Sequence, residues 1–204
     1  MKTTTLVSNH LFNVILIIFI IIIALRLYLK SDSFNLRCII SNVNGNTYCV
    51  RDRNKLNLAA DRLAHVNNNL NKLVNHLSKK YPEQENVQRL INGYNPKKIY
   101  ETLPTSEFTA YSENKGEKIA FCLDTEKNNK GRLIDINTLM YVALHEVSHI
   151  ATKSIGHSDE FWNNFKFMIT EAKAINIYNP VDYKKEPARY CGMNITDNPY
   201  YDVK

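Results

Sequence analysis

YVALHEVSHIATKSIGHSDEFW occupies residues 141–162 and holds three of the six histidines in the chain. Two of them flank a glutamate, in the order His145-Glu146-x-x-His149. Leu139, Val142 and Ala143 are core candidates at helical spacing, and Asp135 or Asn137 can cap a helix over about 137–152. On such a helix residues i and i+4 share a face, roughly 6 Å apart along the axis, so both imidazoles can reach one ion at about 2.0–2.1 Å. Glu146 lies beside that face, near the ion without ligating it. From there it can take a proton from a metal-activated water and pass it to a leaving amine. The competing reading is a helix whose polar residues are solvated and carry no chemistry.

A catalytic zinc takes three protein ligands, so a third is needed. His157 follows His149 by eight residues, just past Gly156, where the chain can double back. It is the preferred ligand, because a buried histidine without a partner would be costly there. Glu160 and Glu171 are the carboxylate alternatives. A histidine at position 155 would mark another zinc-peptidase spacing, and that position is Ile155. Ser158 can cap a following helix over about 159–176, with Phe161, Phe165, Met168, Ile169, Ala172 and Ile175 as its apolar stripe.

Upstream the grammar changes. Phe108–Ser112 and Lys118–Leu123 read as strands around a tight turn, Glu113–Glu117. Residues 126–132 read as a loop. Before that, Leu63, Val66, Leu70, Leu73, Val74 and Leu77 fall at steps of three and four, predicting a helix over 56–80 that ends before Pro82. A short helix follows at 85–92, stopped by Gly93. The tail beyond Tyr178 is irregular but aromatic. Its Tyr183, Tyr190, Tyr200 and Tyr201 read as packing residues, with donation to an oxyanion as the rarer role. His65 and His76 read as solvated, Trp162 as packing beneath the metal site, and Lys153 and Lys166 as ordinary surface charges. These elements predict an α+β domain with no internal repeat and no interdomain linker.

The amino-terminal end differs from the rest. Val14–Leu25 is uninterrupted apolar sequence, and the wider stretch 11–29 approaches the hydrocarbon thickness of a bilayer. It predicts a single transmembrane anchor rather than a cleaved signal, since no small-x-small site follows. The expected organisation is a tail at 1–10, the anchor at 11–29, a juxtamembrane segment at 31–55 and the domain at 56–204. Arg26, at the end of the span, and Lys30 and Arg37 after it favour a cytosolic domain. A possible disulfide and the sequon Asn194-Ile195-Thr196 favour the opposite side, so the side stays open.

Net charge is +6. Residues 1–30 contribute three basic groups and no acid, leaving 23 basic against 20 acidic residues in the rest. That balance argues against nucleic-acid binding through charge. The 26 asparagines reflect compositional bias rather than mechanism. Of four cysteines, Cys38 and Cys49 bracket an Asn44-Gly45 turn signal that could bring their sulfurs together. Cys122 and Cys191 are a second possible pair, and four free thiols in a reducing compartment are the alternative.

Gly156-His157-Ser158-Asp159-Glu160-Phe161-Trp162, shortly after HExxH, resembles the WLM and SprT (Spartan)-like zinc metalloproteases. Asn114-Lys-Gly116-Glu-Lys-Ile119-Ala-Phe121-Cys-Leu123 is similar to the strand that precedes the active helix in WLM domains. The match covers Ser112–Phe167, about a quarter of the chain. The whole chain, its ending Tyr190-Cys-Gly-Met-Asn-Ile-Thr-Asp-Asn-Pro-Tyr included, resembles small membrane-anchored metallopeptidases of large DNA viruses. The resemblance implies a minimal zincin-like fold with a mostly antiparallel sheet, and zinc as cofactor. It makes His145, His149 and His157 the ligands and Glu146 the base. It implies a protein or peptide substrate lying along the strand Ile119–Leu123, and a viral or virion membrane setting. Relatives that act on DNA-crosslinked protein carry basic or ubiquitin-binding appendages, which are not found here. The rival expectation is an inactive structural or adaptor protein that keeps zinc for folding, with Cys191 as the fourth ligand of a closed site.

Overall fold

The structure, a computed structural model, describes residues 2–29, 36–127 and 132–202. It divides into two units, residues 1–35 and 36–204.

The first unit contributes one helix, α1 (Lys2–Leu29), whose side chains from Phe12 to Tyr28 are exposed. Among the described residues no helix is long and apolar enough to cross a membrane. The expectation of a transmembrane anchor at 11–29 is therefore corrected, and the membrane location that rested on it falls with it. The physical reason lies in length. The uninterrupted apolar run Val14–Leu25 is twelve residues, or about 18 Å of helix against a hydrocarbon core of roughly 30 Å. Asn13 and Arg26 bound it on either side.

The second unit is α+β. Its chain order is β1 (Leu36–Ile40), β2 (Thr47–Arg51), α2 (Leu56–Lys80), α3 (Glu85–Gly93), β3 (Ile99–Glu101), β4 (Ala110–Glu113), β5 (Lys118–Phe121), α4 (Ile136–Ala151), α5 (Asp159–Ala174), β6 (Ala188–Tyr190) and β7 (Met193–Ile195). A short 3-10 turn, Pro199–Tyr201, ends it. Five strands form one sheet in the order β1-β2-β3-β5-β4. The outer pairs β1–β2 and β4–β5 are antiparallel, while β2–β3 and β3–β5 are parallel. The sheet is thus mixed rather than mostly antiparallel. The helices α2 and α3 lie between β2 and β3 in sequence, which gives the chain the length a parallel crossover needs. The segment read as a juxtamembrane hairpin supplies β1 and β2, with its residues 31–35 outside the described residues. The loop read at 126–132 likewise falls partly outside them.

Helix α2 buries Leu63, Val66, Leu70, Leu73 and Leu77, the stripe its spacing predicts, against β1, β2 and β3. Helix α4 is enclosed on nearly every side. Its residues Thr138–Leu144, Val147, Ser148, Ile150 and Ala151 are all buried, between α2, α3 and α5 and the strands β4 and β5. Asp135 caps it by accepting from the Thr138 amide at 2.8 Å. Ser158 caps α5 in the same way through the Phe161 amide.

Two disulfides tie the unit. Cys38 and Cys49 face each other in the β1–β2 register, across a turn with Gly45 at φ 71°. Cys122 and Cys191 join the end of β5 to the tail across 69 residues. Closing loops of this size stabilises the native state by about 3 and 4 kcal/mol. A second buried device was not foreseen. The Arg51 guanidinium lies 3.5 Å from the Glu101 carboxylate and donates to the Thr102 carbonyl at 2.6 Å, and Arg53 binds both Glu101 and Asp124. With each charge paired, neither arginine carries the full cost of burial.

Candidate metal centre

Three histidines converge where the shell around α4 opens. His145 and His149 stand one turn apart on α4, half-buried, while His157 comes from the exposed turn before α5. The Nε2 atoms of His149 and His157 lie 3.2 and 3.0 Å from that of His145. Among the described residues these three form the group able to hold one metal ion, with ligand atoms all within 4.8 Å. Ligands at about 2.0–2.1 Å in tetrahedral array sit roughly 3.4 Å from one another, so the imidazole spacing fits zinc. Charge supports the fit. Burial first, then His149 and His157, bring the His145 pKa down to about 3. Burial, His157 and Lys115 bring His149 down to about 4. Both rings therefore stay neutral at ordinary pH, as metal ligation requires.

The sequence preferred His157 as third ligand with Glu160 and Glu171 as alternatives, and the three have different surroundings in the structure. The Glu160 carboxylate accepts the amides of Lys153 and Ser154 at 3.0 and 3.2 Å and pairs with Arg89, which also binds the Ala151 carbonyl. It braces the turn after α4. Glu171 lies in the last turn of α5, bound by His76 at 2.7 Å, by Lys80 and by the Tyr81 hydroxyl. His76 is thus paired rather than solvated. Cys191 is disulfide-bonded and supplies no fourth ligand.

Glu146 is 5% exposed and, among the described residues, its carboxylate accepts no hydrogen bond from the protein. Burial pushes its pKa up to about 8. It follows the first histidine directly in the sequence. Tyr190 is also near enough to feel its charge, but the Tyr190 hydroxyl is committed, donating to the Thr109 carbonyl and accepting from the Cys122 amide. Tyr183 is buried, Tyr201 donates to the Pro180 carbonyl and Tyr200 accepts from Lys173. The tail tyrosines pack the tail onto the domain.

The floor of the centre is Phe161, not Trp162. The fully buried Phe161 ring stacks on His149 at 4.3 Å and meets His145 and His157 edge-on at 4.8 and 4.7 Å. Trp162 is 42% exposed and flanks His157 at 5.8 Å. A second residue missed from sequence is Lys115, in the β4–β5 turn. Its Nζ donates to the carbonyls of His149, Thr152 and Ser154. The available signal was Asn114-Lys115-Gly116, a turn whose residues all have positive φ although two of them carry a Cβ.

The Glu171 cluster carries a pH prediction. Burial raises the carboxyl pKa, but the hydrogen bonds from His76, Lys80 and Tyr81 outweigh it and the net shift is downward. A depressed folded-state pKa gives stability that is present above the unfolded value and is lost as pH falls through the folded one. The melting temperature of the wild type therefore falls more steeply below about pH 4.5 than that of Glu171→Gln. Parallel curves for the two would contradict the pairing.

No family model matches the chain, and no solved structure matches it. Viral proteins do. The chain is 30% identical over 171 residues to the uncharacterized protein R325 of Acanthamoeba polyphaga mimivirus, covering 84% of this chain and 83% of R325. It is 33% identical over 103 residues to protein 042R of Invertebrate iridescent virus 3, covering 50% of this chain and 58% of that protein. Protein 136R of Invertebrate iridescent virus 6 matches over 75 residues at 28% identity, 37% of this chain and 41% of its own length. The chain belongs to the family of the mimivirus protein R325.

Proposed function

We propose that this chain is a zinc-dependent metallopeptidase, with His145, His149 and His157 as ligands and Glu146 as general base. The observation that carries the reading is the convergence of three imidazole nitrogens beside a buried carboxyl that has no protein partner. A zinc ion there would supply Lewis acidity toward a scissile carbonyl, acidify water and draw the Glu146 pKa down from about 8. Glu146 then takes a proton from the attacking water at its carboxylate and returns it to the departing amine. Phe161 holds the three rings at fixed angles from below. A closed structural site needs a fourth protein ligand, and the disulfide removes Cys191 from that role.

The peptide-binding strand of the proposal is β4, not β5. β5 is paired on both sides, by β3 and β4, whereas β4 is the sheet edge beside α4. The Cys122 amide donates to the Thr109 carbonyl and the Ile119 amide to Lys98. Antiparallel alternation then turns the backbone of Ala110 and Ser112 outward, leaving two donor–acceptor pairs for an extended peptide. The test is cleavage of a quenched-fluorescent peptide library by the zinc-loaded full-length chain beside Glu146→Gln. Cleavage by the wild type alone supports the proposal. Cleavage by neither, or equally by both, contradicts it.

A further inference from the structure

The β4–β5 turn is held on both of its sides. Asn114, Lys115 and Gly116 follow one another at φ 45°, 56° and 109°, in the region that glycine enters most readily. A Cβ on Gly116 would lie 2.3 Å from the Gly93 carbonyl oxygen and 2.8 Å from Ile150. A Cβ on Gly93 would lie 2.3 Å from the carbonyl oxygen of Lys115 itself. The turn is therefore seated against the end of α3 and against α4, with no slack between the backbones.

From that seat the Lys115 ammonium uses all three of its protons. It reaches the carbonyls of Thr152 at 2.7 Å, Ser154 at 3.0 Å and His149 at 3.1 Å. His149 lies in the last turn of α4, Thr152 is its C-cap and Ser154 lies in the loop that leads to His157. One side chain thus fixes the backbone of the second histidine together with the loop that carries the third. A simple helix-end cation would satisfy the last carbonyls of α4 alone. This one also spans to the loop, and it does so from a backbone conformation that disfavours a side chain.

We propose that Lys115 is a positioning residue for the three-histidine centre, setting the 152–157 loop so that His157 Nε2 meets His145 Nε2 across one ion-sized gap. The inference rests on the reading of that centre as a zinc site. It requires that zinc affinity, and not only stability, depend on Lys115. Lys115→Gly is the informative variant, because glycine suits φ 56° and its backbone relaxes while the ammonium is removed.

The experiment measures the zinc dissociation constant of the full-length chain by competition with a chromophoric chelator, beside the melting temperature of the zinc-free chain. Lys115→Gly is expected to melt close to the wild type and to bind zinc about 10-fold more weakly, the low end for residues that support metal ligands from outside. Lys115→Met, which keeps the aliphatic stem, is expected to show the same loss and gives the same reading should the glycine variant not fold. Affinity within twofold of the wild type in either folded variant overturns the proposal, whatever happens to the melting temperature. In that case wild-type binding of one zinc, lost in His157→Ala, still leaves the zinc reading standing. A wild type that binds no zinc removes both.

Discussion

If the proposed peptidase reading holds, Glu146→Gln is expected to lower peptide hydrolysis by the zinc-loaded chain about 10²–10⁴-fold, the range a positioned general base contributes. Glutamine keeps the shape of the side chain in a site that is 5% exposed, so the fold has no reason to change. Zinc content is expected to stay at the wild-type level, because the proposed ligands are His145, His149 and His157. The variant also removes a carboxyl whose pKa burial lifts to about 8, so its metal-free form is not less stable than the wild type at neutral pH. Measured kcat beside zinc content separates the two roles. A variant that loses zinc along with activity would make Glu146 a ligand. A variant with unchanged kcat would remove it from the chemistry.

The second large effect is structural. Phe161→Ala costs about 3–5 kcal/mol, as truncation of a fully enclosed phenylalanine does. For a unit of this size that is a fall in melting temperature of roughly 6–20 °C. The ring is fully buried and lies within 4.3–4.8 Å of all three imidazoles, with Phe165 at 5.8 Å. Its removal leaves a void directly under the ligands, so zinc binding weakens in whatever fraction stays folded. Phe161→Leu fills most of the void and shows a smaller loss of both. Calorimetry with and without zinc reads both effects. A melting temperature within about 2 °C of wild type, a shift smaller than 1 kcal/mol produces, would show that the ring is not the floor of this site.

Local periodicity carried most of what was legible in advance. The spacing of His145 and His149 already implied a shared helical face, and the apolar stripes of α2 and α5 fixed which sides are buried. Caps at Asp135 and Ser158 marked where α4 and α5 begin. Contacts between distant segments left no such trace. β3 is three residues long, too short for an alternating pattern, yet it joins β2 to β5 and makes the sheet mixed. The Cys122–Cys191 bond spans 69 residues, and Glu171 meets His76 across 95. The cysteine pair could be named only as one possibility, and the Glu171 partner not at all, before the fold was known. Glu171 and Glu160 were reasonable ligands by residue type, and only their existing partners remove them. Phe161 looked like one more member of a stripe, and Lys115 was only one residue of a tight turn.

The amino-terminal helix shows the converse error. Hydropathy read over 11–29 suggested a span, but polar residues flank a run of twelve, and that run is shorter than a bilayer core by about 12 Å. Apolar character along a helix does not set its length. The strand assigned to the substrate was misplaced for a related reason. Ile119–Leu123 is the more apolar strand because it is interior, and the free edge falls to the less apolar β4.

Whether the three histidines hold one metal ion is read from the zinc content of the purified chain beside His157→Ala. About one zinc per wild-type chain is expected, lost or bound far more weakly in the variant, because two imidazoles on one helix turn do not complete a catalytic site. No zinc in either protein would contradict it, leaving HExxH as a helix with solvated side chains. One zinc retained in full by His157→Ala would contradict the ligand set.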